Sequence, residues 1–226
     1  MKTKTRWLLV AAYATAMAWV ESAVVFYLRT QSNRIVPYQP DPLPLVAGYA
    51  KVELLREAAT LLMLACVGAL AGTSRRSRLG YAAIAFGIWD VFYYVFLKLI
   101  TGWPHSLRDW DILFLIPLPW WGPVIAPVLI SMIMIVWGTL ATQLPGHASM
   151  RIRDEWKAWL PSLAGMMLAL YVFMEDSIHA LRTTGDSVRT LLPSRFDWKL
   201  FCVSLLLMCM PVLWNAFQNS RQKALP

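Results

Sequence analysis

Histidine and cysteine are scarce in this chain of 226 residues, three of each, and their positions exclude several chemistries. Cys66, Cys202 and Cys209 fall inside apolar runs with no Cys-x-x-Cys pair, so they read as small buried hydrophobes and supply neither a disulfide framework nor a thiolate metal site. A haem gripped between two helices needs a pair of core histidines, but His105 and His147 lie in connections and leave only His179. That excludes a b-type haem. Also missing are a nucleophile motif, a Gly-rich phosphate loop, a Walker sequence and a His-rich oxidase box, so no named reaction is assigned. There is no repeat of fixed period, no low-complexity tract and no Asn-x-Ser/Thr acceptor. The last of these is consistent with a bacterial inner membrane.

Charge is thin as well. Charged residues make up 15% of the chain against 58% hydrophobic, and the mean hydropathy is +0.50. These values exclude an ordinary soluble domain and point to an all-α, polytopic membrane bundle forming one domain over residues 1–226. The formal charge of +8 suits loops held against anionic lipid, and no compact basic domain is left over for nucleic acid. The expected partners are the bilayer and other membrane proteins.

Six apolar spans are expected, at about 7–28, 50–71, 79–100, 124–144, 158–181 and 198–217. The first resembles a signal peptide, with small-x-small triplets at Ala14-Thr-Ala16 and Ala16-Met-Ala18. Its apolar run continues far enough to span, which favours an uncleaved helix. Pro37, Pro40, Pro42 and Pro44 make a loop of the next segment, and Gly72 to Arg78 reads as a basic stop after the second span. Near 105–121, Pro117 and Pro119 break an aromatic stretch too short to span, so a short interfacial or re-entrant segment is expected there. Lys and Arg in the short segments at Lys2 to Arg6, Arg75 to Arg78, Arg151 to Lys157 and Arg221 to Lys223 place both termini in the cytoplasm.

Against this background the acids stand out. Glu53, Arg56 and Glu57 sit at the mouth of the second span, and Glu53 and Glu57, four apart, share a helical face. At about 1.5 Å per residue, Glu21, Glu57, Asp90 and Glu175 all fall about 9–15 Å below the outer boundary, with Asp176 and His179 close by. Charged groups at such depth face a bundle interior or a water-filled cavity, and they mark function by default. Structural pairing is the plainer alternative: Arg56 with Glu21 or Glu57, Lys98 with Asp90, and Arg182 with Asp176 or Asp186. The acids nevertheless outnumber Arg56 and Lys98. A surplus carboxylate in low dielectric must bind a proton, bind a cation or open to water.

Glu21, Glu53, Arg56, Glu57, Asp90, Glu175, Asp176 and His179 are therefore the candidate polar site. Asp176-x-x-His179 places an acid and an imidazole about one turn apart, and with Glu21 and Glu57 it forms a candidate ligand set for a divalent metal ion, half of the pattern that di-iron carboxylate bundles use. With one histidine, a mononuclear oxygen-rich site is the more conservative form. Asp109 and Asp111, either side of Trp110, read as solvated residues beside an interfacial anchor, the alternative being that the segment from Trp103 to Leu113 caps the polar cavity from outside and recruits a cation or polar headgroup. Three function classes follow: a metal-dependent membrane enzyme or ligand-binding protein acting on an apolar or lipid-like substrate, a non-catalytic membrane subunit or assembly factor, and a small proton-coupled transporter.

Overall fold

A computed structural model describes residues 2–39, 49–143, 152–183, 192 and 195–214. The chain is mostly helical: α1 (Thr3–Gln31), α2 (Tyr49–Ala71), α3 (Arg75–Thr101), then a hairpin of β1 (Trp110–Phe114) and β2 (Trp120–Pro123), then α4 (Ile125–Gln143), α5 (Ile152–Thr183) and α6 (Trp198–Met208). Five of the helices are long and apolar enough to cross a membrane. The sixth expected span is a shorter apolar helix, Trp198–Trp214, and residues 215–217 lie outside the described residues.

The outward surface is what a bilayer requires. Leu70 is 86% exposed and Leu99 and Leu55 each 72%, a cost in water that disappears against lipid tails. Between helices whose outer faces are this apolar, close packing of small residues brings the backbones together. The α3–α4 crossing shows it: a Cβ on Gly138 would come within 2.4 Å of the Gly80 carbonyl oxygen, and one on Gly87 within 2.6 Å of the Ser131 carbonyl oxygen. Only glycine allows the two backbones to approach this closely.

The helices run antiparallel in sequence order, and their ends identify the two faces of the bundle. At one end the Arg6 guanidinium donates to the Ala71 carbonyl, the Tyr81 hydroxyl to the Thr3 carbonyl, and the Trp7 indole to the Thr139 hydroxyl. The start of α1, the end of α2, the start of α3 and the end of α4 are thereby gathered. Val10, Ala14, Leu64, Ile84 and Ala85, all 3% exposed or less, fill the core above this end. The end of α1, the start of α2, the end of α3 and the hairpin occupy the opposite end.

Three boundaries differ from expectation. α3 starts at Arg75, before the expected 79, because Ser74 and Ser77 form a capping box that satisfies the first backbone N–H groups. The basic cluster expected as a stop after the second span thus forms the first turn of α3. At its other end Gly102, at φ 77°, closes α3 in the left-handed conformation. α1 continues past the expected 28 and so carries Arg29 on helix, and α5 starts at Ile152, ahead of the expected 158.

The expected interfacial or re-entrant segment near 105–121 is instead an antiparallel hairpin, which corrects the all-α reading locally. Trp110 pairs with Pro123, Asp111 with Gly122 and Ile112 with Trp121, with an irregularity between Ile112 and Phe114. Aromatic and β-branched residues favour strands, while Pro117 and Pro119 restrict the turn that joins them. Cross-strand pairing satisfies backbone groups that a single broken segment would leave without partners.

Candidate functional site

Beneath the hairpin, α1, α2 and α3 enclose a cavity of about 900 Å³, completed by Pro127 and Ile130 of α4 and Phe173 of α5. Among its polar residues are those that the charge pattern singles out on the first three helices. Glu21, Glu53, Arg56, Glu57 and Asp90 all line it, joined by Arg29, Arg34 and Thr60.

The first group is an ion cluster between α1 and α2. The Arg56 guanidinium bridges Glu21 and Glu53, with Nε 2.9 Å from Glu53 Oε2. The Thr60 hydroxyl donates to Glu21 Oε2 at 3.3 Å. Spacings of three and four residues place Glu53, Arg56 and Thr60 on one face of α2, turned toward Glu21. Of the two expected pairings, Arg56 with Glu21 is made and Arg56 with Glu57 is not, Glu53 being the second partner.

Glu57 is 6% exposed, and both its oxygens accept the Leu115 backbone N–H, at 3.0 and 3.2 Å. It therefore ties α2 to the turn of the hairpin. Asp90, 7% exposed, accepts the Ser131 hydroxyl at 2.8 Å across the α3–α4 crossing. The Lys98–Asp90 pair expected as an alternative does not form. Eight residues separate them, a rise of about 12 Å, and Lys98 Nζ instead donates to the Gly102 carbonyl at 2.8 Å.

A second ion pair closes the roof. Arg29 donates to Asp111 Oδ1 at 2.8 Å, and its guanidinium lies 4.5 Å from the centre of the Trp103 ring. Asp111 is fully buried, which overturns its reading as a solvated residue. Burial pushes its carboxyl above the usual range, against the pull of Arg29, the Ile112 N–H and Tyr94. Asp109 is the more exposed of the two. Burial is the largest single influence and raises its carboxyl, but the His105 N–H, the Ser106 hydroxyl and backbone and the nearby imidazole together hold it below the usual range.

Glu175, Asp176 and His179 are not among the lining residues. The buried face of α5 at this level is Phe173, Ser177 and Ala180, and the Ser177 hydroxyl donates to the Pro119 carbonyl at 2.8 Å. His179 is exposed, off that face, and both Asp176 and His179 engage other groups. Among the described residues no group of three or more His, Cys, Asp or Glu side chains is placed to hold a metal ion. The candidate quartet Glu21, Glu57, Asp176 and His179 is thus not gathered into one cluster. Asp186 and His147 lie outside the described residues.

Five contributors escape a reading of the charge pattern: Arg29, Arg34, Thr60, Asp111 and Ser131. The aromatic wall does too. Trp89 and Tyr93 stack with ring centres 6.3 Å apart, Phe114 meets Trp120 at 5.1 Å, and Trp120 stacks on Phe173 at 6.3 Å. The cavity therefore has a charged end and an aromatic, apolar flank. No protein-family model, curated protein or solved structure matches this chain.

Proposed function

We propose that this is an integral membrane protein that binds an apolar, lipid-like molecule in the cavity under the hairpin, with the molecule's polar group at the charged end. The observation that carries this reading is the co-location of Glu21, Arg56, Glu57 and Asp90 with an aromatic wall around one space of about 900 Å³. That size suits a small amphiphile, and a mostly apolar pocket with a few convergent polar groups is the usual form of a binding site. The transport reading finds less support. Below the cavity the core is Val10, Ala14, Leu64 and Ile84, which offer no polar route toward the other end. We place the basic end, with Lys2, Lys4, Arg6, Arg75, Arg76 and Arg78, at the cytoplasmic face of a bacterial inner membrane, which puts the cavity in the outer half.

Native mass spectrometry of the full chain released from membranes tests the reading. The expected result is a small hydrophobic molecule retained at near-stoichiometric level by the wild type and lost from Ile130→Trp, whose larger ring fills the space beside the aromatic wall. Equal retention by both, or none by either, overturns it.

A further inference from the structure

We propose that the ligand's polar group is cationic: the site takes an amphiphile with an ammonium head, which Glu57 and Asp90 neutralise and the aromatic wall surrounds. This rests on the ligand-site reading and specifies its chemistry.

The argument starts from which charges inside the cavity are already matched. Arg56 is shared by Glu21 and Glu53, Arg29 is held by Asp111 over the Trp103 ring, and Arg34 is not free either. The arginines are therefore committed. Glu57 and Asp90 are in the opposite position: each is buried and lines the cavity, yet their hydrogen-bond partners are the neutral Leu115 N–H and Ser131 hydroxyl. One neutral donor replaces only part of the hydration a carboxylate loses on burial. A cation entering the cavity would supply the rest.

The wall is suited to the same task. Trp89, Tyr93, Phe114, Trp120 and Phe173 line the space, and aromatic faces attract ammonium groups most strongly where water is excluded. The chain already uses this contact within itself, at Arg29 over Trp103. A second, independent observation concerns hydrogen-bond donors. The Nε1 atoms of Trp89, a residue 5% exposed, and of Trp120 are buried without a partner among the described residues. Buried donors are nearly always satisfied, and both residues line the cavity, so polar oxygens on a ligand seated there would be candidates to complete them.

Equilibrium binding of radiolabelled dodecylamine, dodecanol and dodecanoate to the purified full chain in a non-ionic detergent tests the proposal. The amine is expected to bind roughly tenfold or more tighter than the alcohol, with the carboxylate weakest. In the Glu57→Gln/Asp90→Asn double variant that preference should vanish while dodecanol binding persists, which also shows that the variant is folded. Glu175→Gln, outside the cavity, should behave as wild type. Equal binding of amine and alcohol, or tightest binding of the carboxylate, overturns the cationic assignment and leaves the ligand site standing. Failure of all three probes to bind overturns the ligand site as well.

Discussion

Arg29 and Asp111 join the last turn of α1 to the first strand of the hairpin through a 2.8 Å contact between groups whose side chains are 12% and 1% exposed. Removing one partner of such a pair strands a buried charge, at a cost of about 3–5 kcal/mol, whereas replacing both with apolar groups of similar size is often close to neutral. Burial already works against the Asp111 carboxylate, which favours that outcome here. Arg29→Met and Asp111→Leu should each lower the unfolding temperature in detergent more than the double variant does. Additive losses would show that the pair is worth more than its desolvation cost.

The α3–α4 crossing makes a second expectation. At Gly138 an added methyl group meets the Gly80 carbonyl at 2.4 Å, a backbone atom that cannot swing aside, so the helices must separate. Gly138→Ala should destabilise by about 1–3 kcal/mol, the usual range for overpacking. Met132→Ala, at a position 48% exposed on the same helix, should stay within about 0.5 kcal/mol. Thermal unfolding of both variants in one detergent checks the contrast.

These contacts also show what sequence reasoning reaches and where it stops. Depth along a helix follows from the rise per residue, and Glu21, Glu57 and Asp90 do line one cavity. Direction around the helix does not follow until the packed face is known. Glu175 and His179 fall at a similar depth but off the α5 face formed by Phe173, Ser177 and Ala180. Arg29 lies just beyond the expected end of the first span at 28 and joins the site because α1 continues to Gln31. The burial of Asp111 follows only from the hairpin, whose trace in the sequence is the alternation of Trp110, Asp111 and Ile112, the period-two pattern of a strand with one inward face. Ser131 gives no signal in the charge pattern, being one hydroxyl in an apolar run, yet it holds Asp90.

The turn leading into the hairpin should be sensitive to acid. Asp109 accepts the His105 N–H at 2.7 Å and the Ser106 hydroxyl at 3.0 Å, and its carboxyl lies below the usual range in the folded protein. A depressed acid contributes stability that is present above its unfolded value of about 3.9 and is lost as pH falls through the lower folded value. The Asp109 side-chain carboxyl carbon resonance should therefore titrate with a midpoint below the ordinary value of about 3.9. Asp109→Asn should abolish that titration. A midpoint above the ordinary carboxylate range would contradict the assignment.

Glu57 has two roles that can be separated experimentally, since it lines the cavity and also holds the hairpin turn through the Leu115 N–H. Hydrogen bonds to a charged group contribute about 1.5–3 kcal/mol, so removing the acceptor with Glu57→Ala should speed hydrogen exchange at Leu115 by roughly tenfold or more. Glu57→Gln keeps one acceptor oxygen while discarding the charge, and its Leu115 exchange rate should fall between wild type and Ala. Ser177 holds the same turn independently at Pro119, so strand pairing between Ile112 and Trp121 should survive both variants. If Leu115 exchanges at the wild-type rate in Glu57→Ala, then strand pairing and the Ser177 contact alone hold the turn, and Glu57 is left with the cavity as its sole role.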